Sequence, residues 1–176
     1  AHREKVMKAA PALSGMRTDT SPLETVFMGR YVREGCSIEK YVIGADRPIP
    51  VPALVFVPNG GSGLAVKLPA VLWFGGSGKA ADAAPGGRLE TLARGGYLVL
   101  AADLPGIGEL GGDSGGDSVI RGVNYNLVFG AQLVGGSVTG IQADAVLRCL
   151  RALLARADAD PARISAVATG TVGPAL

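Results

Sequence analysis

The chain has 176 residues, 48% of them apolar and 18% charged, with a formal net charge of +2. That length and balance suit one domain with a buried core and exclude a disordered chain. Its 27 glycines and 11 prolines follow no period, which excludes a collagen-like repeat; 17 basic and 15 acidic side chains, interspersed and with few aromatics, exclude a nucleic-acid-binding surface.

Residues 1–22 mix charge with Ala and Leu and end in Thr18-Asp19-Thr20-Ser21-Pro22, which predicts a loose amphipathic helix and a loop ahead of a domain over residues 23–176. The opening Ala1-His2-Arg3-Glu4-Lys5 is charged but leads into no apolar stretch, so it does not read as a signal peptide. Val26 to Val32, Ser37 to Val42 and Val51 to Val57 are rich in β-branched and aromatic residues. Their short spacers predict antiparallel hairpins. Pro58 to Gly63 reads as a turn, and Ala70 to Phe74 as an apolar strand.

Near residue 69 the pattern changes to strand and helix in alternation, the sign of a mostly parallel sheet with helices on both faces. A helix is expected from about Pro85 to Arg94, a buried strand from Tyr97 to Ala102, a weaker helix from Tyr125 to Val134 and a stronger one from Ile141 to Ala155. In the last, Ile141, Ala145, Leu147, Leu150 and Leu154 form the predicted apolar face, with Asp144, Arg148 and Arg151 toward water. Ile164 to Ala168 then reads as a short buried strand, Thr169 to Gly173 as a glycine turn, and Pro174 as the first residue of a helix. The longest apolar runs fall far short of the ~20 residues a membrane helix needs, so a soluble protein without a membrane partner is expected. Cys36 and Cys149 define neither a metal site nor a disulfide framework and read as two buried free thiols.

Three glycine-rich segments invite a chemical reading. Gly75-Gly76-Ser77-Gly78-Lys79 follows a strand, but a phosphate loop would need glycine where Trp73 stands and Ser or Thr where Ala80 stands. It fits better as a loop whose Gly76 N–H helps to bind an oxyanion. Gly106 to Gly111 matches G-x-G-x-x-G, yet more loop follows where a dinucleotide site needs a helix. Around Gly170 the strand, turn and proline have the shape of a nucleophile elbow, G-x-S-x-G, without its serine. Two registers are open. Gly170 takes the nucleophile's place if the count runs along the strand, Thr171 if Gly173 is the last glycine; the positive φ of an elbow favours Gly170 over a β-branched residue. A nucleotide-binding protein using Gly106 to Gly111 or Gly170 to Gly173 is a third reading.

The series Val51-Pro-Ala-Leu-Val-Phe-Val-Pro, Leu68-Pro-Ala-Val-Leu-Trp-Phe-Gly-Gly-Ser-Gly-Lys, Gly96-Tyr-Leu-Val-Leu-Ala-Ala-Asp-Leu-Pro-Gly-Ile-Gly and Asp160-Pro-Ala-Arg-Ile resembles the α/β-hydrolase superfamily. It is most similar to the acetyl-xylan-esterase-like and dienelactone-hydrolase-like branch, over roughly residues 24–176. The resemblance implies hydrolysis of an acyl ester, such as a carbohydrate acetyl ester, by a serine, a histidine and a carboxylate, with no cofactor and no metal. It also implies oxyanion donors at Gly76 N–H and Thr171 N–H. A secreted or periplasmic location would go with an acetyl-xylan-esterase-like enzyme, a cytoplasmic one otherwise. The departures are a glycine or threonine at the nucleophile position and a single histidine, His2, at the other end of the chain. They point either to an N-terminal portion of a hydrolase, with the carboxylate beyond Leu176, or to a non-catalytic scaffold that holds a ligand or partner. An apolar strand at 164–168 on a raw sheet edge also predicts a homo-oligomer or partner chain that completes the sheet.

Overall fold

The computed structural model describes residues 2–16, 19–59, 67–112, 118–120 and 122–176. Helix α1 (His2–Ser14) carries Pro11 inside it and buries none of its residues. Strands β1 (Thr25–Arg33), β2 (Cys36–Ile43) and β3 (Val51–Pro58) follow as an antiparallel meander. Then come β4 (Leu68–Phe74), the single turn α2 (Lys79–Asp82), α3 (Arg88–Arg94) and β5 (Leu98–Ala102). A small antiparallel pair, β6 (Val119–Ile120) and β7 (Val123–Asn124), leads into α4 (Tyr125–Leu133), α5 (Val138–Leu154) and β8 (Ala159–Ala168). The main sheet has the order β1-β2-β3-β5-β4-β8, with β4 parallel to both β5 and β8 and the remaining neighbours antiparallel.

Side-chain alternation along the strands divides the core in two. Ala70, Leu72 and Phe74 of β4, with Leu98 and Leu100 of β5, face Ala145, Cys149 and Leu153 of α5. Val71, Trp73, Val99 and Ala101 point the other way, toward Leu89 and Ala93 of α3. Seven residues are too few for α3 to hold as an isolated helix. Burial of Leu89, worth about 1.5–3 kcal/mol, and of Ala93 beside it fixes the helix to the sheet. Helix α5 starts where Ser137 caps it, its Oγ accepting from Gly140 N–H at 3.0 Å. The two cysteines are free and buried on opposite faces of the sheet. Burial pushes the Cys149 thiol up to about 12, which leaves it unreactive.

Several boundaries differ from the sequence expectations. The buried stripe of α5 is Gln142, Ala145, Val146, Cys149 and Leu153, rotated from the predicted one, and Leu154 is exposed. Arg148, expected in water, is buried. Its guanidinium donates to Ile49 O at 2.7 Å and pairs with Asp144 at 3.0 Å, groups that periodicity along one helix does not reveal. Strand β8 is longer than expected and is an edge strand, with Ser165 and Ala166 exposed. Pro174 does not begin an α-helix; it lies inside a 3₁₀ turn over Gly170–Ala175. The predicted turn at 58–63 lies partly outside the described residues, as does part of the glycine-rich loop after Gly111. Among the described residues no helix is long and apolar enough to cross a membrane.

One buried ionic group ties the sheet to the end of α5. Glu39, on β2, accepts from Arg156 at 2.8 Å and from Tyr41 Oη at 3.1 Å, and pairs with Arg30; Arg156 also pairs with Asp158 at 2.7 Å. Burial alone would raise the Glu39 carboxyl, but the hydrogen bonds from Arg156, Arg30 and Tyr41 outweigh it and hold the group below the usual glutamate range. A carboxylate with a depressed folded pKa stabilises the fold above its unfolded pKa, and that contribution disappears as pH falls through the folded one. Urea unfolding measured between pH 7 and pH 3 should therefore show stability falling with acid, and Glu39→Gln should be less stable at pH 7 with a shallower acid dependence.

Candidate functional site

Open sheets with parallel strands bind ligands beyond the carboxyl ends of those strands, where the connections diverge. Here the crossover after β4 runs through α3 on one face and the crossover after β5 through α5 on the other. The loop after β4 is held down by charge. Asp103, directly after β5, accepts from Lys79 N–H at 2.6 Å, from Lys79 Nζ at 2.8 Å and from Glu109 N–H at 3.0 Å. Asp103 is 1% exposed and Lys79 3%, and Lys79 Nζ also pairs with the solvent-facing Glu109. The turn between β4 and Lys79 closes through Gly78 N–H to Gly75 O at 3.0 Å.

Beside this loop lies the turn that follows β8. Thr169 N–H donates to Phe74 O at 3.0 Å, which extends the pairing of β8 with β4 by one residue. At Gly170 the chain then takes φ +66°, a left-handed value that a residue with a Cβ rarely adopts. Val172 and Ala175 anchor the turn in the core on the α5 side, leaving Gly170 and Thr171 exposed. Gly76 is pressed against it: a Cβ built there would stand 2.7 Å from Thr169 O and 3.2 Å from both Gly170 Cα and Thr171 N. Gly76 N–H points to Thr169 Oγ1 at 3.4 Å. A Cβ on Gly170, by contrast, would meet only Gly76 Cα, at an ordinary 3.5 Å.

The structure thus brings together Gly76, Gly170 and Thr171, all singled out in the sequence. It does not bring in His2, which is exposed at the far end of α1 from Ser14, where α1 meets α5 through Ser137 Oγ donating to Ser14 O at 2.7 Å. Sequence reasoning missed Lys79 as the partner of Asp103; a lysine just after a glycine turn and an aspartate at the end of the next strand are the only trace it leaves. The G-x-G-x-x-G stretch opens no α-helix. Gly108–Leu110 is a 3₁₀ turn, and the Glu109 N–H that could face a phosphate is engaged by Asp103. Among the described residues no group of three or more His, Cys, Asp or Glu is arranged to hold a metal ion. A cleft of about 490 Å³ opens beside the turn, between Gly170, Thr171 and Pro174 on one side and Val123, Val138 and Gln142 on the other.

The fold is similar to that of solved esterases. A Bacteroides fragilis protein assigned as an acetyl xylan esterase superposes with a TM-score of 0.74 at 20% identity, over 98% of this chain and 48% of the other. The fold is α/β-hydrolase-like. A glucuronoyl esterase from Solibacter usitatus gives 0.66 at 14% identity over 98% of this chain and 53% of its own. An acetyl xylan esterase from Paenibacillus sp. R4 gives 0.61 at 22% identity over 94% and 50%. The chain spans about half the length of these structures. No protein-family model and no curated protein sequence matches it.

Two substitutions test the geometry. Gly76→Ala forces a methyl group against backbone, which cannot swing away as a side chain can, and should cost about 1–3 kcal/mol in urea unfolding. Lys79→Met leaves Asp103 buried without its cation. Breaking such a pair costs about 3–5 kcal/mol, and the two backbone N–H donors that Asp103 keeps place the expected loss near the lower figure.

Proposed function

We propose that this chain forms the ester-binding part of an esterase-type site in which Gly170 stands at the nucleophile position without a hydroxyl. An acylated, carbohydrate-type ester is held there and is not cleaved by these residues. The observation that carries this reading is the left-handed Gly170, one residue beyond β8, with the backbone of Gly76 packed on its Cα. Gly76 N–H and Thr171 N–H are the two donors that would receive the carbonyl oxygen; Thr169 Oγ1, at 3.4 Å from Gly76 N, turns aside when the ligand enters. The esterase names of the structural neighbours support an ester as ligand.

Acyl transfer needs an attacking oxygen, a histidine to move its proton and a carboxylate to orient that histidine, and losing the nucleophile leaves only the binding and oxyanion contributions. On this reading residues 23–176 are the hydrolase-like unit and residues 1–22 an appended helix and loop. The outer edge of β8 accepts a further strand, from a partner chain or a second copy. Thr171 is the second reading for the nucleophile, favoured by its exposure on the cleft.

Calorimetric titration with an acetylated xylo-oligosaccharide should show binding, while any turnover of p-nitrophenyl acetate should stay within the roughly 10³–10⁴-fold over water that binding and oxyanion contacts alone give. Thr171→Val should leave both results unchanged. Turnover by the natural chain that disappears in Thr171→Val would move the nucleophile to Thr171; absence of binding would overturn the proposal.

A further inference from the structure

A second cavity, of about 300 Å³, lies under the C-terminal end of α5, between Ala152 and Ala155 on one side and the strand residues Ile43, Val55 and Leu100 on the other. Six of the nine residues around it are aliphatic or alanine. It reaches solvent beside Thr25 and Ala155, both exposed, and shares no residue with the cleft at Gly170. Gln142 on that cleft and Ala152 on this cavity stand about 15 Å apart along α5. Alanine at both helix positions leaves the space open; a leucine at either would fill it.

The polar end of the cavity, at Tyr41 and Arg156, has no charge to offer a guest. Every guanidinium nitrogen of Arg156 is engaged: Nε and Nη2 donate to Asp158 at 2.8 and 2.7 Å, and Nη1 donates to Glu39 at 2.8 Å. Tyr41 Oη donates to Glu39 at 3.1 Å, and Arg30 also pairs with Glu39. Two guanidiniums thus face two carboxylates, with no excess of either sign. Burial and the Glu39 carboxylate push the Tyr41 phenol up, so it stays neutral. An ionised group entering this space would lose its water and meet no free counter-charge, whereas an uncharged one leaves the network intact. We infer that the cavity binds a small uncharged hydrophobic molecule with a single ring, packed on Ile43, Val55 and Leu100 beneath Ala152 and Ala155. Size agrees with this. An apolar cavity of roughly 150 Å³ accepts benzene, so about 300 Å³ accommodates a ring that carries one or two further carbons. The assignment stands apart from the ester-binding reading, and either can fail alone.

The test is a methyl-NMR titration of the full chain with toluene, with benzoate and benzylamine as charged counterparts of the same ring. Toluene should give saturable ring-current shifts at the methyl groups of Ile43, Val55 and Leu100. Benzene, one carbon smaller, should bind about three- to four-fold more weakly, and the two charged compounds at least about tenfold more weakly. Ala155→Leu places a good helix former at the exposed end of α5, so it should melt no lower than the natural chain while removing the toluene shifts. Ala152→Leu, one turn earlier, is the second filling variant and should remove the same shifts. No shift with toluene, shifts confined to Val123 and Val138 in the cleft at Gly170, charged compounds binding as tightly as toluene, or toluene binding unchanged in both filled variants would each overturn the proposal.

Discussion

The contact between Lys79 and Asp103 sets the geometry on which the site depends. Both groups are withdrawn from water, and a buried pair of this kind is weak evidence for added stability, because desolvation offsets most of the attraction. What it does supply is position. Asp103 gathers the Lys79 ammonium, the Lys79 N–H and the Glu109 N–H onto one carboxylate, so the loops after two neighbouring parallel strands are locked to each other. With that loop fixed, Gly76 has one place to be, and that place is against the turn after β8.

The two faces of the sheet then have different tasks. On the α3 side Trp73 Nε1 donates to Asp82 at 2.9 Å, and Leu89 and Ala93 hold α3 to the sheet. The α5 side carries the cleft, because α4 and the small β6–β7 pair lie in the same crossover as α5 and stand beside the end of β8.

Much of this was legible in the chain itself. Continuous apolar runs such as 70–74 and 98–102, too short for a helix and flanked by glycine or proline, read as strands covered on both faces, and the approach of Gly76 to Gly170 followed from aligning their loops on a known arrangement. Other features were hidden for physical reasons. The stripe of α5 was misplaced because Gln142 and Cys149 pack against the sheet with Ala145 and Leu153, while Leu147, Leu150 and Leu154 lie at its margin. Arg148 reads as a surface residue until Ile49, about a hundred positions earlier, is brought to it by folding. The Lys79 partnership is likewise long-range in sequence, and an isolated lysine carries no sign of its partner.

Gly170 has a consequence for the balance between endurance and reactivity. Any side-chain-bearing residue held at φ +66° in such a corner carries local strain on the order of 1–3 kcal/mol, which enzymes tolerate because an attacking oxygen must stand there. Glycine adopts the same backbone at ease, and space for a β-carbon remains open above Gly76. On the proposed reading, the corner keeps the contour of a reactive centre without the tension a side chain there would bring.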